Sequence, residues 1–326
     1  MALIQEIWIQ DVQEVLYPPN SILLKSTDHS AFVHYHTVHI PNAGTNGAVT
    51  MNLSLGGALT GTYQRTDNDK TYTINSFSIL PIIISDLETY QINYDKRKSI
   101  TYNALKNLET IVTDDFLYSI APDPIELSGS VVYTSGALQS IDLASNYSGA
   151  IATGSRSAVT MTDIFKMATV LDMQNVPNDD KRVMIVPSNM FNNELLQVPA
   201  VLQAYQLGAI GLGQSVVSTG VLARVAGFEL FKRPSTVVYN MSTGGTATQL
   251  AATDSTRQPA TIAATDSMAI LAWHPSTVSH AKGNIDVYYQ EVVAQAYGSI
   301  LSFNVWCGSS KLRYDGKGIA ALIQHP

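Results

Sequence analysis

Apolar residues recur at three- and four-residue spacing in three stretches of the chain, and each such run places its apolar side chains on one helical face. The first is residues 4–16, with Ile4, Ile7, Trp8, Val12 and Val15 on one side and Glu6, Gln10, Asp11 and Gln13 elsewhere. Its polar face is acidic, so it packs against protein rather than lying on a membrane surface, which calls for basic residues there. The second runs from Asp86 to Ile120 and is clearest from Ser99 onward, where Leu105, Leu108, Val112 and Phe116 form a stripe widened by Ala104 and Ile111. No proline or glycine interrupts it, and a helix of that length needs a broad surface to lie on. The third carries Ile164, Met167, Ala168 and Leu171, and ends in the turn chemistry of Asn175 to Asp180. Residues 198–205 continue helical sequence.

Period-two alternation and short apolar runs predict the strands. Ala31–Pro41 reads as one strand rich in β-branched and aromatic residues. Gln64–Asn75 alternates on both sides of Asp67-Asn68-Asp69, predicting a long exposed hairpin with its tip at Asp67–Lys70. Further strands are expected at Phe77–Ile84, Ser130–Tyr133, Val183–Val186, Gly220–Phe231 (as a pair), Met268–Trp273, Asn284–Gly298, Ile300–Trp306 and Ile319–Ile323. Ser188 is the expected N-cap of a helix after Pro187. Residues 122–159 and 240–267 are rich in Ser, Gly, Thr and Ala and read as loops. The echo of LAATDS (250–255) in IAATDS (262–267) is one hairpin's two sides or chance, not a solenoid.

Composition narrows the function classes. The 326 residues are 45% apolar and only 14% charged, a low charge for a protein that stays soluble alone, which suggests surface covered by neighbouring copies. A net charge of −7 is unlike a basic nucleic-acid binder. Cys307 is the single cysteine, so no internal disulfide or cysteine metal cluster forms within one chain, as suits a reducing compartment. The apolar run at 79–84 is too short for a membrane span and contains Pro81. The N-terminal sequence MALIQEIWIQ lacks the basic start and cleavage site of a signal peptide, so a soluble, intracellularly made protein is expected.

Candidate chemistry is sparse. His34 and His36 share a face of the expected strand and are capable of ligating a metal, with His39 pointing away; ordinary surface histidines are the simpler reading. Asp67, Asn68 and Asp69 resemble the start of a calcium loop, but the glycine and distal glutamate that complete one are absent. There is no nucleophile elbow, no phosphate loop, and no dinucleotide fingerprint around Gly208. Asp114 and Asp115 stand near the C-terminal end of the long helix, where the dipole disfavours them, which hints at an external partner.

The order of these blocks resembles the major capsid proteins of tailed bacteriophages. The chain presents an arm, a strand ending in Ile40-Pro41, a hairpin, the strand ILPIII, the run SDLETYQINYDKR with Asp86, Gln91, Tyr94 and Asp95, and a long helix left through Asp114-Asp115. The block from Met161 to Leu196, the Gly227-Phe228 turn, AILAWHPSTVSHAKG (269–283) and DGKGIAALI (315–323) follow in the order of that family. The resemblance implies an α+β, Hong Kong 97-like fold with an N-terminal arm (1–45), an E-loop (46–85), a P-domain with the spine helix (86–130 and 268–326, part of the latter shared with the A-domain) and an A-domain (131–267). It implies a structural protein, not an enzyme and without cofactor. Such a subunit assembles with itself into pentamers and hexamers of an icosahedral head around double-stranded DNA, with scaffolding, portal and cement proteins as further partners and no membrane. Its place would be the virion, after assembly in the host cytoplasm. Arg65, Asp67, Lys70, Asp114 and Asp115 are then the expected inter-subunit contacts, and Lys70 is a conceivable cross-linking lysine, though an ordinary exposed lysine is the simpler reading. Two features depart from the family: the charged N-terminal scaffolding segment is missing, and the loops 122–158 and 241–267 match nothing in it. An encapsulin-like compartment of the same fold, a metal-dependent β-rich enzyme using His34 and His36, and a secreted β-rich adhesin are the rival readings.

Overall fold

The computed structural model describes residues 21–44, 51, 65–85, 96–140, 155–197, 199, 223–241, 247–250, 257, 266–293 and 297–325. The helix expected at 4–16, residues 86–95, residues 198–205 (199 excepted) and, of the echoed LAATDS and IAATDS segments, residues 251–255 and 262–265 lie outside these.

The organising element is a mixed sheet of eight strands among the described residues. Arg182–Pro187 is buried at every position, as its unbroken apolar run demands of a strand covered on both faces. It pairs in parallel with Phe228–Arg233 and antiparallel with Asp266–Trp273. Ala223–Val225 flanks Phe228–Arg233 across a two-residue turn at Ala226-Gly227, both with positive φ, the geometry that matches strand twist in tight hairpins. On the other side Asp266–Trp273 pairs with Ile319–Ile323, which carries Val131–Tyr133 in parallel, while its first residues pair with Val238–Asn240.

Period-two alternation gives this sheet two apolar faces. Met184, Val186, Phe228, Leu230, Ile270, Ala272, Ala320 and Leu322 meet Ile164, Met167 and Leu171 of the helix Met161–Met173, and Met190 and Phe191 of the helix Ser188–Asn193. Val183, Ile185, Phe231, Ala269, Leu271, Trp273, Ile319, Ala321 and Ile323 face the other way, onto the long helix Lys96–Ile120. The stripe Leu105, Leu108, Val112 and Phe116 is buried there as its spacing predicts. The same helix also covers the second sheet, where Leu301, Phe303 and Val305 complete its core.

That second sheet is built on a long hairpin, Val278–Val293 against Gly298–Lys311. Two register shifts, between Lys282 and Ile285 and between Gln290 and Val293, bend it. Thr27–Asp28 adds in parallel to Ser279–His280. Asn75–Ser78 and Ile82–Ser85 both pair with Gly298–Lys311. The apolar run 77–84 is therefore two strands, broken at Ile79–Pro81 because proline has no N–H for the ladder. A Cβ on Gly298 would lie 2.0 Å from the Ile84 carbonyl oxygen, so only glycine admits the Ile82–Ser85 strand. Gly298→Ala is expected to cost about 1–3 kcal/mol and to raise amide exchange in residues 82–85 ahead of the rest of the sheet; unchanged exchange there would refute it.

Three local expectations are corrected. Ala31–Pro41 is not one strand but a tight hairpin, Val33–His34 against Thr37–Asn42, with Tyr35 and His36 at φ 46° and 65° in the turn. Asp67–Lys70 is not a hairpin tip: Asn68–Thr73 pairs along its length with Thr37–Asn42, so the excursion between the two strands spans 43–67. Ser188 is the first helical residue rather than the cap; its hydroxyl donates to the Arg233 carbonyl and Pro187 occupies the N-cap.

Candidate functional site

The polar residues singled out in the sequence fall into two places, the base of the 43–67 excursion and the long helix. At the base, the strand ladder ends at Asn42 opposite Asn68. Arg65 grips Asp67 with two bonds, Nε to Oδ1 at 2.7 Å and Nη2 to Oδ2 at 2.8 Å, and Gly44 N–H donates to Asp67 Oδ1 at 2.9 Å. Hydrogen bonds from Arg65, then from Gly44, hold the Asp67 carboxyl below its usual range. Both side chains remain about half-exposed.

Lys70 points into its own chain. Its Nζ donates to the Arg313 carbonyl at 2.9 Å, and burial lowers its pKa. Arg313 in turn forks onto Asp315 (2.8 and 3.0 Å) and donates to the Gln174 carbonyl at 2.6 Å, while Asn42 Nδ2 donates to the Leu312 carbonyl at 3.1 Å. These bonds fix the root of the excursion to the turn 312–318 and to the end of the helix Met161–Met173. Lys70 on a paired strand, with its amine engaged, is thus not the exposed tip lysine that a cross-link would use.

The three histidines diverge. His34 ends one hairpin strand, His36 sits in the turn and stacks on Trp306 (centroids 4.4 Å apart, planes at 23°), and His39 Nδ1 lies 2.7 Å from Asp69 Oδ2. The turn at Tyr35-His36 removes the shared strand face on which metal ligation by His34 and His36 depended. Among the described residues no group of three His, Cys, Asp or Glu side chains is placed to hold a metal. Asp67 and Asp69 each engage a different partner, so the calcium-loop likeness also dissolves.

Asp114 and Asp115 are buried and paired within the chain. Asp114 Oδ1 lies 2.8 Å from Arg233 Nη1, and Asp115 Oδ1 accepts from Arg257 Nε at 2.7 Å. Arg233 also donates to the Thr110 carbonyl at 3.0 Å, and burial lowers its pKa against the pull of Asp114. The two carboxylates stand more than a turn from the helix end at Ile120, where the dipole is already weak, so no external cation is needed to offset it. Sequence reading missed both arginines. Arg257 carried a signal: it is the only basic residue between 241 and 265.

Beside this ion pair, a cavity of about 820 Å³ opens between the helix (Asn103, Asn107, Ile111) and the edge strand Asn75–Ser78 with the Ile79-Leu80 segment that follows it. Asp115 and Arg257 are the charged groups in its lining, and they neutralise each other. Leu80, in its lining, is 85% exposed, and Ile83, Tyr288 and Tyr297 of the second sheet and its hairpin turn are more than half exposed.

No family model matches the chain, and no curated protein matches it. Solved structures do, and over nearly its whole length. The chain is similar to a chain of the capsid of cyanophage P-SCSP1u, at 17% identity and a TM-score of 0.58, with 91% of this chain and 86% of that chain covered. It is similar to the capsid of Ralstonia phage GP4 at 11% identity and TM-score 0.57, covering 92% and 87%. For the capsid of cyanophage Pam1 the values are 11% and 0.54, covering 96% and 92%. The α+β fold of this chain is that of phage capsid chains.

Proposed function

We propose that the chain is the major capsid protein of a tailed bacteriophage, a structural subunit without catalytic activity. Many copies form pentamers and hexamers that close into an icosahedral head around double-stranded DNA. The observation that carries this reading is a fold shared with phage capsid chains over about nine-tenths of the sequence. Low charge, exposed apolar strands and mutually neutralised buried charges support it. No helix among the described residues is long and apolar enough to cross a membrane.

In this reading residues 1–45 are the N-terminal arm, 46–85 the E-loop, 86–130 and 268–326 the P-domain, and 131–267 the A-domain. Scaffolding, portal and cement proteins are its further partners, and assembly takes place in the host cytoplasm before the protein resides in the virion. Weak contacts repeated around each capsomer sum to a stable shell. Arg65 and Asp67, exposed at the root of the excursion, are the retained candidates for inter-subunit contact.

Two experiments test this. Electron microscopy and light scattering of the purified protein, alone and with its scaffolding protein, are expected to show closed shells or capsomers; a monomer under every condition would overturn the reading. Arg65→Glu is expected to lower particle yield at least tenfold while the subunit's thermal midpoint stays within about 2 °C, because an exposed pair contributes little to subunit stability. Wild-type particle yield would remove Arg65 from the contact set.

A further inference from the structure

The N-terminal side of the described chain is attached to the second sheet by a small polar clasp. Thr27 and Asp28 pair in parallel with Ser279 and His280, a two-residue ladder, and His29 N–H donates to the His280 carbonyl at 2.9 Å. Ser26 Oγ donates to the Leu23 carbonyl at 2.6 Å and lies 2.7 Å from His280 Nδ1. The hydroxyl has one hydrogen, and the Leu23 carbonyl takes it. Nδ1 must then be the donor to Ser26, which leaves Nε2 bare. Nε2 is fully buried and finds no hydrogen-bond partner among the described residues; Asp28 Oδ1 is 4.0 Å away.

We infer that residues 26–30 form an acid-opened clasp, with His280 Nε2 as the proton acceptor that opens it. A proton on Nε2 creates a buried cation with no acceptor within hydrogen-bond distance. The nearest carboxylate, Asp28, is already engaged by the Ser30 N–H at 2.9 Å and by the Ser30 hydroxyl, and that hydroxyl also accepts from Lys282 N–H at 2.9 Å. Either Asp28 swings to the imidazolium and abandons Ser30, or the imidazole leaves its site. The first move gives up the Asp28–Ser30 bonds beside the Thr27-Asp28 ladder and the second gives up the Ser26 contact, so either one loosens the segment from its partner strand. Lys282 on the same strand and His29 on the facing segment add repulsion toward the cation, and Asp28 is the one opposing charge. Burial is the largest influence, and it lowers the His280 pKa from 6.5 to about 4.

The sign follows from that depression. A histidine held neutral in the closed state and free to protonate in the open one favours closure fully above pH 6.5, and that preference is lost as pH falls from 6.5 toward 4. Leu23 and Lys25 have separate anchors: Leu23 is buried in the main core, Trp273 Nε1 donates to the Lys25 carbonyl at 2.9 Å, and Lys25 Nζ pairs with Glu229 at 3.0 Å. Opening is therefore confined to residues 26–30. This stands on the subunit alone and does not rest on the proposed shell role.

Amide hydrogen exchange of the full chain between pH 8 and pH 5, corrected for the intrinsic pH dependence, tests it. The opening constant at His29 is expected to rise about thirtyfold over that range, while that at Lys25 changes less than twofold. His280→Asn, whose amide still reaches Ser26 but takes no proton, is expected to show no such rise at His29. A flat wild-type profile, the same rise in His280→Asn, or Lys25 opening in step with His29 would overturn the clasp. Should His280→Asn fail to fold, titration of the wild-type imidazole by NMR decides: His280 titrating near 6.5 with His29 protected throughout would also overturn it.

Discussion

Trp273→Ala is expected to lower the free energy of unfolding by about 3–5 kcal/mol, the usual cost of deleting a large buried aromatic. Trp273 is fully buried where three parts of the fold meet. It closes the strand Asp266–Trp273 opposite Val183 and Ile319, its ring meets Phe116 of the long helix edge-on at 6.0 Å, and its Nε1 holds the Lys25 carbonyl. The alanine variant thus empties the core at the point where helix, sheet and N-terminal segment join. Trp273→Phe separates the contributions. It keeps most of the apolar volume but leaves the Lys25 carbonyl without its donor, and is expected to cost about 1–2 kcal/mol. Urea denaturation followed by far-ultraviolet circular dichroism measures both. A loss below about 1.5 kcal/mol for the alanine variant would mean the site collapses around the gap and that the junction is looser than its packing indicates.

How much of this was legible beforehand differs by element, for physical reasons. The helix stripe from Leu105 to Phe116 and the run Val183–Val186 were readable because burial on one face or both imposes a period that the sequence must carry. The hairpin hidden in Ala31–Pro41 was not. Its turn is Tyr35-His36, and neither residue advertises the positive φ that Asn-Gly would. The partner of Asn68–Thr73 was missed for a related reason. Alternation says that a segment is a strand but not which strand it meets, and Asp67-Asn68-Asp69 looks like a turn when seen without Thr37–Asn42 beside it. The charged residues fared worst. Asp114 and Asp115 were singled out for their place near a helix C-terminus, but the arginines they pair with lie 119 and 142 positions away along the chain, at Arg233 and Arg257. His280 gave no local signal at all, since its character comes from the Ser26 and Asp28 that the fold brings to it.

Asp114→Asn is expected to destabilise the isolated subunit by about 3–5 kcal/mol, because it strands the buried guanidinium of Arg233 without its counter-charge. The side chains of Asp114 and Arg233 are only 6% and 10% exposed, so solvent does little to screen the loss. Arg233→Met should cost a similar amount by removing the guanidinium that faces the buried carboxylate. The double variant Asp114→Leu with Arg233→Met is expected to recover most of that loss, since replacing both members of a buried pair with apolar groups of like size is often near neutral. A coupling of about 2 kcal/mol or more between the two changes would place the function of Asp114 inside the subunit. The opposite pattern, with subunit stability unchanged and particle yield lost on Asp114→Asn, would mean that the carboxylate acts across a subunit boundary after all. The cycle therefore discriminates between a charge that holds the long helix to its own sheet and one kept for a neighbour. The 2.8 Å approach of Arg233 and its second bond to the Thr110 carbonyl favour the first, because together they tie one side chain to two successive turns of the helix.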